Sequence, residues 1–380
     1  MRLALNATPL LSPFTGIGQY TYHLAKGLLA LSELELEMFY ATGWSKKLRD
    51  RPLGYGVTTA KSVFKRFVPN AYAVNRAFQQ LLFSYGVRSK KVDLYHEPNF
   101  LAYRFQGPTV ITVHDLSWIR YPEVHASKRV AAMNKYFEPG LRKAELILTD
   151  SEFVKHELIE VFGVAAERIK PVLLGVDARF HPMTVEETQS VLSRYHLQHG
   201  QYFLVVGTLE PRKNLQLVLR AYMLLPPALR KRYPLVIVGM KGWCTSALEQ
   251  EMLPLIRARE ILQMGYLPDD ELRIVIAGAL TLLYPSIYEG FGLPPLEAMA
   301  SGVPVIVSNV SSLPEVVGET GILIHPSDQE GVAEAMQQIV DDQALRQNLS
   351  QKALARSATF TWEKCVLQTL AGYQQVLQTV

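Results

Sequence analysis

The sequence predicts an α/β protein built from two doubly wound domains, each an open parallel sheet flanked by helices. Three observations carry this expectation. The chain has 380 residues, more than one ordinary hydrophobic core serves. Short apolar runs alternate with helical stretches through its whole length, and this alternation stops and restarts once. With 48% of residues apolar and 19% charged, core material is plentiful and disorder is excluded.

The first series of apolar runs covers 2–8, 36–42, 94–97, 109–115, 146–151 and 169–175. Each is too short for a helix of ordinary length, and continuous apolar character suits strands buried on both faces. Thr15-Gly16-Ile17-Gly18 follows the first run and leads into a helix over 19–30. After Gly175-Val176-Asp177 the chain passes Phe180, Pro182 and a polar stretch, so a first domain is expected over 1–177. A second, over 183–360, repeats the pattern with strands at 202–209, 235–240, 263–266, 279–285, 304–308 and 321–325, followed by helices over 329–340 and 342–357. A last helix, 361–377, carries Val366, Leu370, Tyr373 and Leu377 at helical spacing. It is expected to return, within 361–380, to the first domain. Two such domains present the carboxyl ends of their strands to each other across a cleft, where a ligand binds.

Composition narrows the function. Cys244 and Cys365 are the only cysteines, too few for a disulfide framework or a structural zinc site, and they fit a reducing compartment. The N-terminus lacks the plan of a signal peptide, and no run approaches the length of a membrane span. A cytoplasmic protein is expected, and contact with the inner face of the membrane has one candidate. Between Arg51 and Val92 no acidic residue occurs, while Lys61, Lys65, Arg66, Arg76, Arg88, Lys90 and Lys91 interleave with aromatic and aliphatic residues. Such a face suits anionic headgroups or an anionic acceptor; the plainer alternative is a pair of amphipathic helices with basic solvated sides. A nucleic-acid partner is not expected, since net charge is only +4 and no binding motif accompanies the patch.

The chemistry concentrates in three places. Glu289-Gly290-Phe291-Gly292-Leu293-Pro294-Pro295-Leu296-Glu297 sets two carboxylates around a glycine turn and a helix expected to start at Pro294 or Pro295, with Glu297 in its first turn. Free amides of Phe291, Gly292 and Leu293 suit a phosphate, and both glutamates can accept hydrogen bonds from sugar hydroxyls. Glu297 has a bland alternative as an acid favoured near a helix start. Arg212 and Lys213, in the strand-to-helix turn Gly207–Asn214, can neutralise a diphosphate, Arg by a bidentate fork and Lys as a point charge. In the first domain, Gly16 and Gly18 permit close backbone approach. His114 and Asp115 end a strand at the same edge, where the histidine can serve acid–base work or bind a hydroxyl. His96 and Glu97 end the neighbouring strand. No Asp-x-Asp pair suited to a metal follows a strand, and no metal or other cofactor is expected.

These stretches, with Ser301-Gly-Val-Pro-Val-Ile-Val-Ser-Asn309, resemble the retaining glycosyltransferases of family 4 over nearly the whole chain. The resemblance implies the GT-B fold and transfer of a sugar from a nucleotide-diphosphate donor to an acceptor with retention at the anomeric carbon. It implies that Arg212 and Lys213 stabilise the departing diphosphate, that Glu297 binds the ribose, and that Glu289 binds the donor sugar beside the amides of 291–293. The stretch 265–272 looks like the family's base-reading segment, acting through backbone near Leu267. Many members have an arginine where this chain has Thr208, and Arg212 stands in for it. The Glu-Pro-Arg-Lys sequence resembles bacterial surface-polysaccharide mannosyl- and rhamnosyltransferases, which implies GDP-mannose as donor and a glycan, lipid-linked as in O-antigen synthesis, as acceptor. GDP-rhamnose or a UDP-sugar is the alternative donor. A two-domain sugar-binding protein and a nucleotide-sugar epimerase are the rival functions. The epimerase would need no acceptor.

Overall fold

The computed structural model describes residues 1–12, 16–49, 71–240, 242 and 246–379. The chain forms two compact units. One comprises Met1–Leu116, Ser127–Gly175 and Trp362–Val380, the other Ser117–Ala126 and Val176–Thr361. The segment 117–126 therefore groups with the second unit, although the strand alternation places it in the first.

The sheet of the first unit contains β1 (Arg2–Asn6), β2 (Glu35–Phe39), β3 (Trp44–Ser45), β4 (Leu94–Glu97), β5 (Thr109–Val113), β6 (Leu146–Thr149) and β7 (Ile169–Pro171), in the order β3-β2-β1-β4-β5-β6-β7. All pairings are parallel except that of β3 on β2. The two-residue β3 gave no apolar run and was absent from the sequence expectation. β4, β5 and β6 are buried at every position, as strands covered on both faces must be.

The second sheet, wholly parallel, runs β10-β9-β8-β11-β12-β13, with β8 (Phe203–Val206), β9 (Leu235–Val238), β10 (Ile261–Gly265), β11 (Thr281–Tyr284), β12 (Val305–Ser308) and β13 (Ile322–Ile324). Both sheets are Rossmann-like. Each reverses its winding direction once, between β1 and β4 in the first and between β8 and β11 in the second. In open sheets the ligand crevice lies beyond the carboxyl ends of the strands at such a switch point.

The helix Trp362–Thr379 belongs to the first unit. Trp362 stacks on His23 with centroids 4.5 Å apart and planes 3° from parallel. The Tyr373 hydroxyl lies 2.6 Å from His96 Nδ1, and Lys170 Nζ donates to the Gln368 carbonyl at 3.0 Å. Gly372 lies where a Cβ would come within 2.7 Å of the Leu146 side chain, so the helix packs closely on β6. Cys365 is buried in this helix; Cys244 falls outside the described residues.

Two local expectations change. Gly16 and Gly18 do not form a loop ahead of a helix but occupy the first turn of the helix Gly16–Leu29, with no left-handed angle at either. Thr15, the first residue of that motif, lies outside the described residues. The helix expected from Pro294 or Pro295 begins at Leu293, with Gly292 as its N-terminal cap at φ 117°. Glu297 thus sits in the second turn, where the dipole at the helix start explains less of it.

Candidate active site

β8 and β11 flank the switch point of the second sheet, and the residues just beyond them converge. After β8 the chain passes Gly207, at φ 147°, into a tight turn over Pro211–Lys213. Asn214 then takes left-handed angles, which asparagine tolerates better than most residues, and its amide donates to the carbonyls of Pro285 and Pro326. This amide straps the Arg212–Lys213 turn to the end of β11. Gly239, at the end of β9, could not carry a side chain, because its Cβ would lie 1.8 Å from the Gly207 carbonyl oxygen.

Beyond β11, Glu289 is 7% exposed and lies between the two cations. Its Oε2 accepts from Arg212 Nη1 at 2.9 Å and its Oε1 from Lys213 Nζ at 2.6 Å. Arg212 also donates to the Tyr288 carbonyl and, through Nη2, to Glu210 Oε1 at 2.6 Å. Lys213 commits a second hydrogen to the Tyr284 hydroxyl, with the ammonium 4.8 Å from that ring's centroid. Burial alone would raise the Glu289 carboxyl; Arg212 and Lys213 outweigh it and hold the group at about 2. Burial pulls the Lys213 ammonium below its usual value, against the opposing pull of Glu289. The cluster is two cations against two carboxylates, and it is close to neutral.

The loop after Glu289 is pinned from the segment that follows β12. The Glu289 amide donates to Ser311 Oγ at 3.0 Å, and Ser312 Oγ donates to the carbonyls of Glu289 and Phe291 at 2.9 and 2.8 Å. These bonds fix the backbone whose Phe291, Gly292 and Leu293 amides open the helix Leu293–Ala300. Pro294 and Pro295 have no amide hydrogen, so the donors of this helix start are confined to those three residues. Glu297, one turn on, is partly buried. Burial raises its carboxyl to about 7, helped by Asp269 and Asp177 and opposed by Arg179. Leu267, 5% exposed, follows β10 through Gly265 at φ 68°. The structure therefore gathers Arg212, Lys213, Glu289 and the 291–293 amides into one cluster. Glu210, Tyr284, Ser311 and Ser312 belong to it and were not singled out by sequence; Glu210 was visible inside the 207–214 motif, but nothing in the sequence shows that it faces Arg212.

His114 stands apart, at the end of β5 in the first unit. Its Nδ1 lies 2.7 Å from Asp150 Oδ2 and its Nε2 2.7 Å from the Pro98 carbonyl oxygen. Both ring nitrogens are engaged by the protein, and the Pro98 carbonyl, which only accepts, takes its hydrogen from Nε2. Burial would lower its pKa, yet Asp150 and the Pro98 carbonyl raise it overall. Both nitrogens through which His114 could serve acid–base work or bind a hydroxyl are thus engaged within the protein. Asp115 follows it, half-buried. His96 lies deeper, between Tyr373 and Thr112, and burial lowers it to about 3, so it is neutral. Glu97 is fully buried and raised by that burial to about 7, with Asn6, Tyr95 and the Asn99 amide donating to it. Neither reaches beyond the protein's own groups among these contacts.

The switch point of the second sheet thus presents paired cations, a clamped carboxylate and a helix start. Residues 14–180 match Glycosyltransferase Family 4 and residues 196–356 match Glycosyl transferases group 1. The chain belongs to the family 4 glycosyltransferases and is a glycosyltransferase with the GT-B fold. It is 37% identical to O-antigen chain mannosyltransferase B of Escherichia coli, over 98% of this chain and 100% of that protein. Among solved structures, it resembles sucrose-phosphate synthase from Thermosynechococcus elongatus, with a TM-score of 0.78, 20% identity and all of both chains covered. It also resembles Anabaena HepE in complex with UDP-glucose, with a TM-score of 0.72, 17% identity and coverage of 100% and 98%. At these identities the two structures bear on the fold alone.

Proposed function

We propose that the protein is a retaining mannosyltransferase that moves mannose from GDP-mannose to a lipid-linked glycan in O-antigen-type polysaccharide synthesis. The observation that carries the transfer chemistry is Glu289 held between Arg212 and Lys213 beside the helix start at Leu293. The mannose donor is supported by the Glu-Pro-Arg-Lys sequence and by the similarity to a mannosyltransferase of Escherichia coli over its full length.

In the reaction, the bond from the anomeric carbon to the diphosphate oxygen breaks, and a bond to the acceptor oxygen forms on the same face. Negative charge gathers on the leaving phosphate, so fixed cations and amides there lower the barrier most. Arg212, the third ammonium hydrogen of Lys213 and the 291–293 amides take that charge. Glu289, fixed by both cations and ionised, accepts from hydroxyls of the donor sugar, and Glu297 accepts from the ribose. Backbone near Leu267 reads the base. The acceptor proton passes to the departing phosphate oxygen, which spares the enzyme a dedicated base. Asp115 and the helix start at Gly16 and Gly18 act by contact with sugar hydroxyls, and His114, held on both ring nitrogens, fixes the end of the strand from which Asp115 follows.

Binding of GDP, UDP, ADP and TDP by calorimetry tests the donor, followed by turnover of GDP-mannose and GDP-rhamnose with and without a mannose-containing lipid-linked acceptor. GDP preference and acceptor-dependent release of GDP are expected. A UDP preference would overturn the donor, and conversion of the donor sugar without acceptor would favour an epimerase.

A further inference from the structure

The helix Ala71–Ser89 carries apolar residues on two sides, and among the described residues one side packs against the first unit. Its inner side places Phe83 and Val87 against Phe39, Tyr95 and Tyr103. Gly86 lies so close to Trp44 that a Cβ would sit 2.0 Å from its indole nitrogen. Two of the basic residues in this region serve the interior. Arg76 donates to the carbonyls of Leu101 and Ala102 and lies over the rings of Tyr103 and Tyr136. Lys90 pairs with the buried Glu37 at 2.7 Å.

The outer side carries Val74, Phe78, Leu81 and Tyr85 at 60, 53, 70 and 76% exposure. Their spacing of four, three and four residues places them in one row, about 16 Å long at 1.5 Å per residue. Isolated exposed apolar residues are ordinary; a continuous row of four on one helix is a surface made to be covered. Arg88 and Lys91, both exposed, close the row at its carboxyl end, and no acidic residue occurs from 71 to 92. No helix among the described residues is long and apolar enough to cross a membrane.

We propose that the row Val74–Phe78–Leu81–Tyr85 lies in the surface of an anionic lipid bilayer, with Arg88 and Lys91 on its headgroups. An apolar helix face bordered by cations and free of carboxylates matches the layered chemistry of such a surface, acyl chains below and phosphates above. A protein partner would need carboxylates around an apolar groove; a second copy of this chain would place like charges together. The proposal extends the reading of a lipid-linked acceptor, because it gives the enzyme a place on the surface where that acceptor resides.

The full chain is to be sedimented with vesicles of phosphatidylglycerol and phosphatidylethanolamine and, separately, of phosphatidylcholine alone. Binding to the anionic vesicles and little to the neutral ones is expected. Replacement of both Arg88→Glu and Lys91→Glu should weaken it by roughly 30-fold or more, and Phe78→Ser with Leu81→Ser by at least about tenfold. Calorimetric binding of GDP and the melting temperature of each variant serve as controls. These side chains are exposed and distant in sequence from the nucleotide cluster, so both controls should be unchanged. Vesicle binding equal to the parent in either variant would overturn the proposal, as would failure of the parent to bind anionic vesicles. Concentration-dependent dimers dissolved by Phe78→Ser with Leu81→Ser would overturn it in favour of a second copy. Loss of GDP binding in the parent would instead count against the donor site and leave the vesicle result to stand by itself.

Discussion

Glu297 and Lys213 show how charge state governs the donor site. The Glu297 carboxyl titrates at about 7, above the usual 4.5 for a glutamate, so the folded protein retains a proton that the unfolded chain gives up. The favourable contribution is therefore complete below about 4.5 and is lost as pH rises through about 7. Ribose hydroxyls need the ionised form as acceptor, so nucleotide affinity should rise with pH across the same range. Glu297→Gln should flatten that rise and weaken binding, yet should be more stable to unfolding than the parent above neutrality, by on the order of 1–2 kcal/mol after allowance for partial exposure. Titration calorimetry and melting curves at several pH values read the two effects separately. Lys213→Ala removes a cation from the leaving phosphate and frees Glu289 on one side, and a fall of roughly 100- to 1,000-fold in kcat/KM is expected, measured as release of GDP. The sequence made these residues legible through their positions after apolar strands. It could not show that both His114 ring nitrogens are engaged, because Asp150 and Pro98 are brought to it only by the folded sheet.

The elements themselves were the most legible part of the chain, because strands buried on both faces leave continuous apolar runs. The strands of both sheets, β3 apart, fall where such runs occur. β3 was hidden by its length, and the start of the helix at Leu293 by the two prolines, which look like a first turn and occupy its second and third positions. The cap that sets this start is Gly292, whose added Cβ would lie 2.8 Å from Leu313 Cδ2 at an angle few side chains adopt. Gly292→Ala should cost about 1–3 kcal/mol and turn the 291–293 amides away from the phosphate. Donor affinity should then fall more than the melting temperature implies, which calorimetry beside a melting curve will read. In the other unit, Tyr373→Phe leaves His96 Nδ1 without its partner 2.6 Å away. A loss of about 1–3 kcal/mol in unfolding free energy is expected, measured by denaturant titration.

At the scale of the whole molecule, the two-sheet plan was legible because the strand alternation repeats, and the return of the last helix to the first unit was expected with it, whereas the grouping of 117–126 with the second unit was not. Segment 117–126 joins the second unit and Trp362–Val380 the first, and no composition change marks either crossing. A saturating nucleotide at about 100 times its Kd should stabilise the protein by about 2.7 kcal/mol. Removal of the last helix should lower the melting temperature of the first unit and leave that nucleotide-dependent shift in the second, as differential scanning calorimetry can resolve. The returning helix also sets an order of assembly on the ribosome. Most of the second unit is one continuous stretch, complete once Thr361 has emerged, while the first unit, made earlier, must wait with its His23 and β6 surfaces uncovered until the final turns arrive. The domain begun first is finished last, and an unfinished chain exposes apolar surface at its beginning rather than at its growing end.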